Sequence, residues 1–187
     1  GHISGPASSY CLSKALAAAV LLGSESPREG EAFSIQMKCS GPLGGFNVEY
    51  LPFDGTLRGY TDKKILDDFD GLGKYDEEKI IVLPRYQMMR TMQGAILSQA
   101  NALSYDEYLA SSLQRKASIY LESSVSDEVR FSFVRGIMVE LMPDSNLDKI
   151  PGFNGNAANS PRNILDSLGF PHAELKESRP VSFACRC

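Results

Sequence analysis

Tyr10-Cys11-Leu12-Ser13-Lys14-Ala15-Leu16-Ala17-Ala18-Ala19-Val20-Leu21-Leu22 is the stretch on which the fold turns. Ala and Leu fill almost every position of this run instead of forming one stripe, and a helix that is apolar all round has to be buried on several sides. Ser8, Ser9 and Ser13 flank its start. The small side chains of Ala15, Ala17, Ala18 and Ala19 would let sheets approach closely, so a central helix covered by strands is expected. The apolar part is far shorter than the ~20 residues that span a bilayer. With Lys14 as its only flanking charge and no clear small-residue cleavage site, it does not read as a secretion signal either.

Working outward, Gly23 to Glu31 reads as a loop, and Phe33, Ile35 and Met37 then alternate with Ser34, Gln36 and Lys38. Phe46, Val48 and Tyr50 alternate with Asn47 and Glu49 in the same way, and a period of two marks half-buried strands. Ser40 to Gly45 is a turn between them, and Asp54-Gly55 is another before a third strand at Leu57 to Thr61, giving an antiparallel meander. Lys79 to Leu83 is predicted as a fourth strand and Arg90 to Gly94 as a fifth, separated near Pro84, which cannot donate to a ladder. Ser104 and Glu107 form a capping box for a helix running to about Arg115.

Ser118 to Glu122 and Val129 to Met142 return to strand, with a turn or bulge expected at Arg135-Gly136. The Asn- and Gly-rich segment Asp144 to Asn159 reads as a linker, and Ser160-Pro161 starts a short helix, Pro161 to Leu168. The expected fold class is α+β: antiparallel sheets packed around a buried Ala-rich helix, with additional helices and a C-terminal linker. Residues 1–143 form the core domain in this reading and 144–184 the linker with its short helix.

The 19 Lys and Arg are outnumbered by 23 Asp and Glu, for a net charge of -4, and no basic cluster exists. Nucleic-acid binding draws its affinity from such clusters, so that partner class is disfavoured. Four cysteines without regular spacing do not make a disulfide framework in a chain of 187 residues, and a reducing, cytoplasmic setting is expected. Gly1-His2-Ile3 reads as an expression remnant, which hides the natural N-terminus and leaves an organellar setting open.

The sharpest chemical feature is Val181-Ser182-Phe183-Ala184-Cys185-Arg186-Cys187. Residues two apart on an extended chain point to one side, so the thiols of Cys185 and Cys187 can face one metal. A structural zinc site closes with four ligands, of which two are supplied here. Cys11 and Cys39 read as buried structural cysteines. His172, the only histidine besides His2, reads as a surface-loop residue, which leaves a nucleophilic Ser-His or Cys-His system without material. The pairs Asp67-Asp68 and Glu77-Glu78 read as solvated faces, and Gly41, Gly44 and Gly45 as a hairpin instead of a phosphate loop. Met88, Met89 and Met92 suit either core packing or a promiscuous apolar surface.

Several segments, in their order and spacing, resemble the heat-shock protein 33 family. They are Ser40-Gly41-Pro42-Leu43 with the following Leu57-Arg58-Gly59, then Arg135-Gly136-Ile137-Met138-Val139-Glu140-Leu141-Met142-Pro143, and finally Phe183-Ala184-Cys185-Arg186-Cys187. The likeness runs from about Leu16 to Cys187. It implies a redox-regulated, ATP-independent chaperone (a holdase) and not an enzyme, with unfolded client proteins as partners, neither nucleic acid nor membrane among them, and a homodimer on oxidation. It further implies that Cys185 and Cys187 are two zinc ligands, redox-active as well, at the start of a zinc-binding domain truncated to 185–187. Zinc is then expected in the full-length protein and not in this fragment, since the family's downstream Cys-x-x-Cys half is missing. Two rivals remain: a zinc-ribbon nucleic-acid-binding protein, opposed by the acidic balance, and a small hydrolase, opposed by the scarcity of histidine.

Overall fold

Helix α1 (Pro6–Gly23) begins four residues before the expected Tyr10, with proline in its first turn and Gly5 at the N-cap. Gly5 has no side chain to satisfy the free amides of the first turn. Asp70 does so from a distant loop: one carboxylate oxygen accepts from the Ala7 amide at 2.9 Å and the other from the Leu66 amide at 2.8 Å. The architecture is that of a computed structural model, which describes residues 4–25, 28–140, 174 and 176–184.

Around α1 the chain is α+β. One six-stranded sheet has the order β5-β4-β1-β2-β3-β8, and a two-stranded sheet pairs β6 with β7. The strands are β1 (Glu31–Lys38), β2 (Gly45–Leu51), β3 (Thr56–Thr61), β4 (Arg85–Met92), β5 (Ala95–Ala102), β6 (Ala117–Val125), β7 (Phe131–Glu140) and β8 (Ser182–Phe183). Helix α1 touches β1, β2 and β3 on one side and β6 and β7 on the other. This explains a helix apolar all round: Cys11, Ala15, Ala18, Ala19 and Leu22 are all buried.

The meander forms as expected, with Phe33 opposite Tyr50, Ile35 opposite Val48 and Met37 opposite Phe46. These six residues are buried on the face toward α1. Each contributes about 1.5–3 kcal/mol by leaving water. The Ser13 and Ser123 hydroxyls share a buried hydrogen bond of 2.7 Å that joins α1 to β6.

Four expectations change. Lys79 to Leu83 is not a strand. Glu77–Ile80 is a helical turn, α2, with Glu77 and Glu78 in the first turn, where the positive helix end favours acids. Ile80 and Ile81 are both buried while Val82 and Leu83 are both exposed, so the alternation of a strand is absent. A short continuous apolar run does not itself distinguish the two states. Here the carbonyls of Ile80 and Val82 accept the amides of Leu43 and Ser40, so the segment braces the β1–β2 turn.

The fifth strand expected at Arg90–Gly94 is instead the end of β4 followed by a hairpin, in which Gln93 and Gly94 both adopt positive φ. The returning strand β5, Ala-Ile-Leu-Ser-Gln-Ala-Asn-Ala, went unread because Ala, Asn, Ser and Gln carry little strand preference. Ser104 does cap a helix, its hydroxyl accepting from the Glu107 amide at 3.0 Å. That helix, α3 (Tyr105–Glu107), passes into a π-helical turn at Tyr108–Ser112 and stops short of Arg115.

The fourth change is at Arg135-Gly136, where the strand runs straight through, Gly136 lying opposite Leu121, and the bulge falls at Ser124/Val125. The glycine serves packing: a Cβ there would lie 2.9 Å from Leu21 Cδ1 of α1. The linker segment Asp144–Asn159, the helix Pro161–Leu168 and the core boundary at 143 lie outside the described residues.

Candidate functional site

The approach to the cysteine pair is described as far as Ala184. Cys185 and Cys187 themselves lie outside the described residues, as does His172. Ser182 and Phe183 pair in parallel with Thr56 and Leu57, which makes β8 the edge of the six-stranded sheet. The Ser182 amide donates to the Gly55 carbonyl at 2.8 Å and the Ala184 amide to the Leu57 carbonyl at 2.9 Å. Gly55 allows this approach in two ways. Its φ is +64°, a region that side chains disfavour, and a Cβ there would come within 2.5 Å of the Pro180 carbonyl oxygen. The extended path thus reaches the residue directly before Cys185.

The other two cysteines are reduced and belong to the core. Cys11 is buried in α1, and burial pushes its thiol far up, so it holds its proton and is a poor ligand or nucleophile. Cys39 is half-buried at the end of β1, its sulfur 3.9 Å from the Gly41 carbonyl. Among the described residues no group of three or more His, Cys, Asp or Glu side chains is placed to hold a metal.

Of the paired acids, Asp67 and Asp68 are exposed as expected. Glu77 differs: it is ion-paired with Lys14 of α1, whose ammonium also lies 5.4 Å from the Tyr10 ring centroid. Met88 is buried in the core, and Met89 and Met92 are half-buried. Sequence reasoning missed Arg90, because its partners come from two other elements, α1 and β1. Its guanidinium donates to the Glu31 carboxylate and to the Leu22 carbonyl, each at 2.8 Å, and stacks over the Phe33 ring. Among the described residues no helix is long and apolar enough to cross a membrane.

Comparison with known proteins gives consistent relatives. The family model described as "Hsp33 protein" matches residues 1–187. A protein named 33 kDa chaperonin from Synechococcus sp. (strain JA-3-3Ab) is 27% identical over 94% of this chain, and the chain spans 62% of that relative's length. A 33 kDa chaperonin from Geobacillus sp. (strain WCH70) is 26% identical over 100% of this chain and 70% of its own. The crystal structure of the 33 kDa chaperonin (heat shock protein 33 homolog) from Thermotoga maritima superposes with a TM-score of 0.79 at 16% identity, covering 95% of this chain and 68% of that one. At that identity the superposition establishes the fold.

Proposed function

Given that the chain belongs to the Hsp33 family, whose model matches all of residues 1–187, we propose that it is the client-binding core of a chaperone. In finer terms the chaperone is a redox-regulated, ATP-independent holdase that binds unfolding proteins under oxidative stress. Its work is binding and not catalysis. The observation that carries this reading is the family match over the whole chain.

Cys185 and Cys187 are the residues that would hold zinc, together with two further donors. Thiolates are the soft donors that zinc prefers, and the extended chain described up to Ala184 suits a Cys-x-Cys pair facing one ion. When bound, zinc holds the two thiolates deprotonated and ties the folding of the surrounding segment to metal occupancy. Oxidation of the thiolates removes them as ligands. The protonated, buried thiol of Cys11 takes no part in that chemistry.

Clients are unfolded polypeptides, and the activated form is a homodimer in a cytoplasmic setting. The test is suppression of light scattering from a thermally unfolding client, measured on the full-length protein in reduced, zinc-loaded form and after peroxide treatment. Suppression by the oxidised form alone is expected. Equal behaviour of the two forms removes the redox switch, and failure of both removes the holdase.

A further inference from the structure

The geometry points to the solvent-facing side of the six-stranded sheet as a docking surface for an extended, acid-bearing segment of an unfolded polypeptide, an inference that rests on the chaperone reading. The inner face of β1, β2 and β3 is spent on α1, but the outer face of the sheet carries a polar row. Asn101 of β5 lies opposite Gln87 of β4, Gln87 opposite Gln36 of β1, Gln36 opposite Asn47 of β2, and Asn47 opposite Tyr60 of β3. Four primary amides and a phenol thus run straight across five strands.

Strands lie about 4.8 Å apart, so the row is about 19 Å long, the reach of about six residues of extended chain. Gln36, Asn101 and Tyr60 are exposed, and the Gln36 and Asn47 side chains have no hydrogen-bond partner among the described residues. Gln87 and Asn101 share only a long contact of 3.5 Å. A primary amide offers both a donor and a carbonyl acceptor, the same pair that a peptide backbone offers. Such a row satisfies the backbone of a client whatever its side chains, which is what sequence-tolerant binding requires.

Charge supplies the second observation. Lys38 and Arg85 lie directly opposite each other in the next row, a like-charge register that costs stability. Lys38 is relieved by Asp62 at 2.7 Å, whereas Arg85 is exposed and has no ion pair among the described residues. Both line an open groove of about 650 Å³ with Gln36, Gln87, Asn101, the exposed Leu103 and Glu107, whose carboxylate accepts from the Leu103 amide at 2.7 Å and makes no ion pair with Arg85. An unpaired cation beside an amide row selects an extended segment bearing a carboxylate.

The test uses the full-length protein in whichever redox form suppresses aggregation. Fluorescence anisotropy is read with a labelled peptide of about ten residues, Ser, Thr and Val with one central Asp, and with its Asp→Lys counterpart. The triple change Gln36→Thr, Gln87→Thr and Asn101→Thr keeps strand preference while removing the amides, and it is expected to weaken binding of both peptides roughly tenfold or more. Arg85→Glu, which leaves the amides in place, is expected to reverse the preference from the Asp to the Lys peptide. Thermal melts confirm that each variant is folded. Unchanged binding by the folded triple variant, or an unchanged preference in Arg85→Glu, overturns the assignment while leaving the chaperone reading intact. Loss of aggregation suppression by the wild-type protein in both redox forms instead removes the reading on which it rests.

Discussion

Arg90 reaches across from β4 to the buried carboxylate of Glu31 on β1, with 2.8 Å between the guanidinium nitrogen and the carboxylate oxygen. The same guanidinium holds the Leu22 carbonyl near the C-terminal end of α1. Side-chain exposures of 15% for Arg90 and 6% for Glu31 mean that water cannot replace either partner. Arg90→Ala should therefore cost about 3–5 kcal/mol, since it leaves a buried charge alone. Denaturant unfolding should show this as a lower midpoint, and Arg90→Lys should recover only part of it, because a single ammonium nitrogen lacks the rigid planar fork whose two nitrogens reach Glu31 and Leu22 separately. A loss under 1 kcal/mol would show that the contact is idle.

Gly136 tests how closely α1 is held by the β6–β7 hairpin. An added Cβ would sit 2.9 Å from Leu21 Cδ1 and 2.8 Å from Leu121 Cδ2, both at the ends of side chains that can shift somewhat. Gly136→Ala is expected to cost about 1–3 kcal/mol through overpacking, and Gly136→Val more. Calorimetric melts of the two variants should rank in that order.

Buried ionisable groups set an alkaline limit. Burial raises Cys11 above its ordinary 9.0 and Tyr105 well above 10.0, while partial desolvation together with the hydrogen bond to Asp127 raises the half-buried Tyr75 to about 12. The unfolded chain loses these protons at the ordinary values while the folded chain keeps them. Their contribution to stability is therefore complete below pH ~9 and is lost as pH rises beyond it. Unfolding free energy measured by urea titration should be flat from neutral pH to about 9 and then fall. Cys11→Ala should remove the earliest part of that fall, and a Cys11 variant with the same slope between pH 9 and 10 would contradict the assignment.

Gly55 controls the docking of β8. Gly55→Ala places a methyl against the Pro180 carbonyl in a backbone conformation that alanine disfavours. Hydrogen exchange read by mass spectrometry should accelerate at the Ser182 and Ala184 amides, the two donors of the β3–β8 contact, and stay unchanged across β1 and β2. Undisturbed exchange at both amides would show that the strand is held by other contacts.

Elements whose residues carry their own periodicity were readable from the chain alone. Alternation in β1 and β2 placed Phe33, Ile35, Met37, Phe46, Val48 and Tyr50 inside, and Ser104 announced its cap through a hydroxyl three residues from Glu107. Strand β5 was not readable, since its weak strand formers are organised by the hydrogen bonds of β4 beside them. Asp70 as the cap of α1 was equally hidden, 63 residues from the amide it accepts. Of the cysteine site, the spacing of Cys185 and Cys187 was legible, whereas the seating of Ser182 and Phe183 on the edge of β3 was not.

By itself, the sequence determined that α1 is buried on several sides, that a meander covers it, and that two thiols close in sequence end the stretch. Those properties are local: side-chain periodicity and composition act over a few residues and need no partner to be recognised. Only the tertiary structure decided that Ile80–Val82 braces a turn and that Arg90 joins α1 to β1 and β4. It alone aligned the Asn101-to-Tyr60 row across five strands. Those features depend on register and on contacts between residues far apart in the chain, and a one-residue slip would turn every member of the row to the other face.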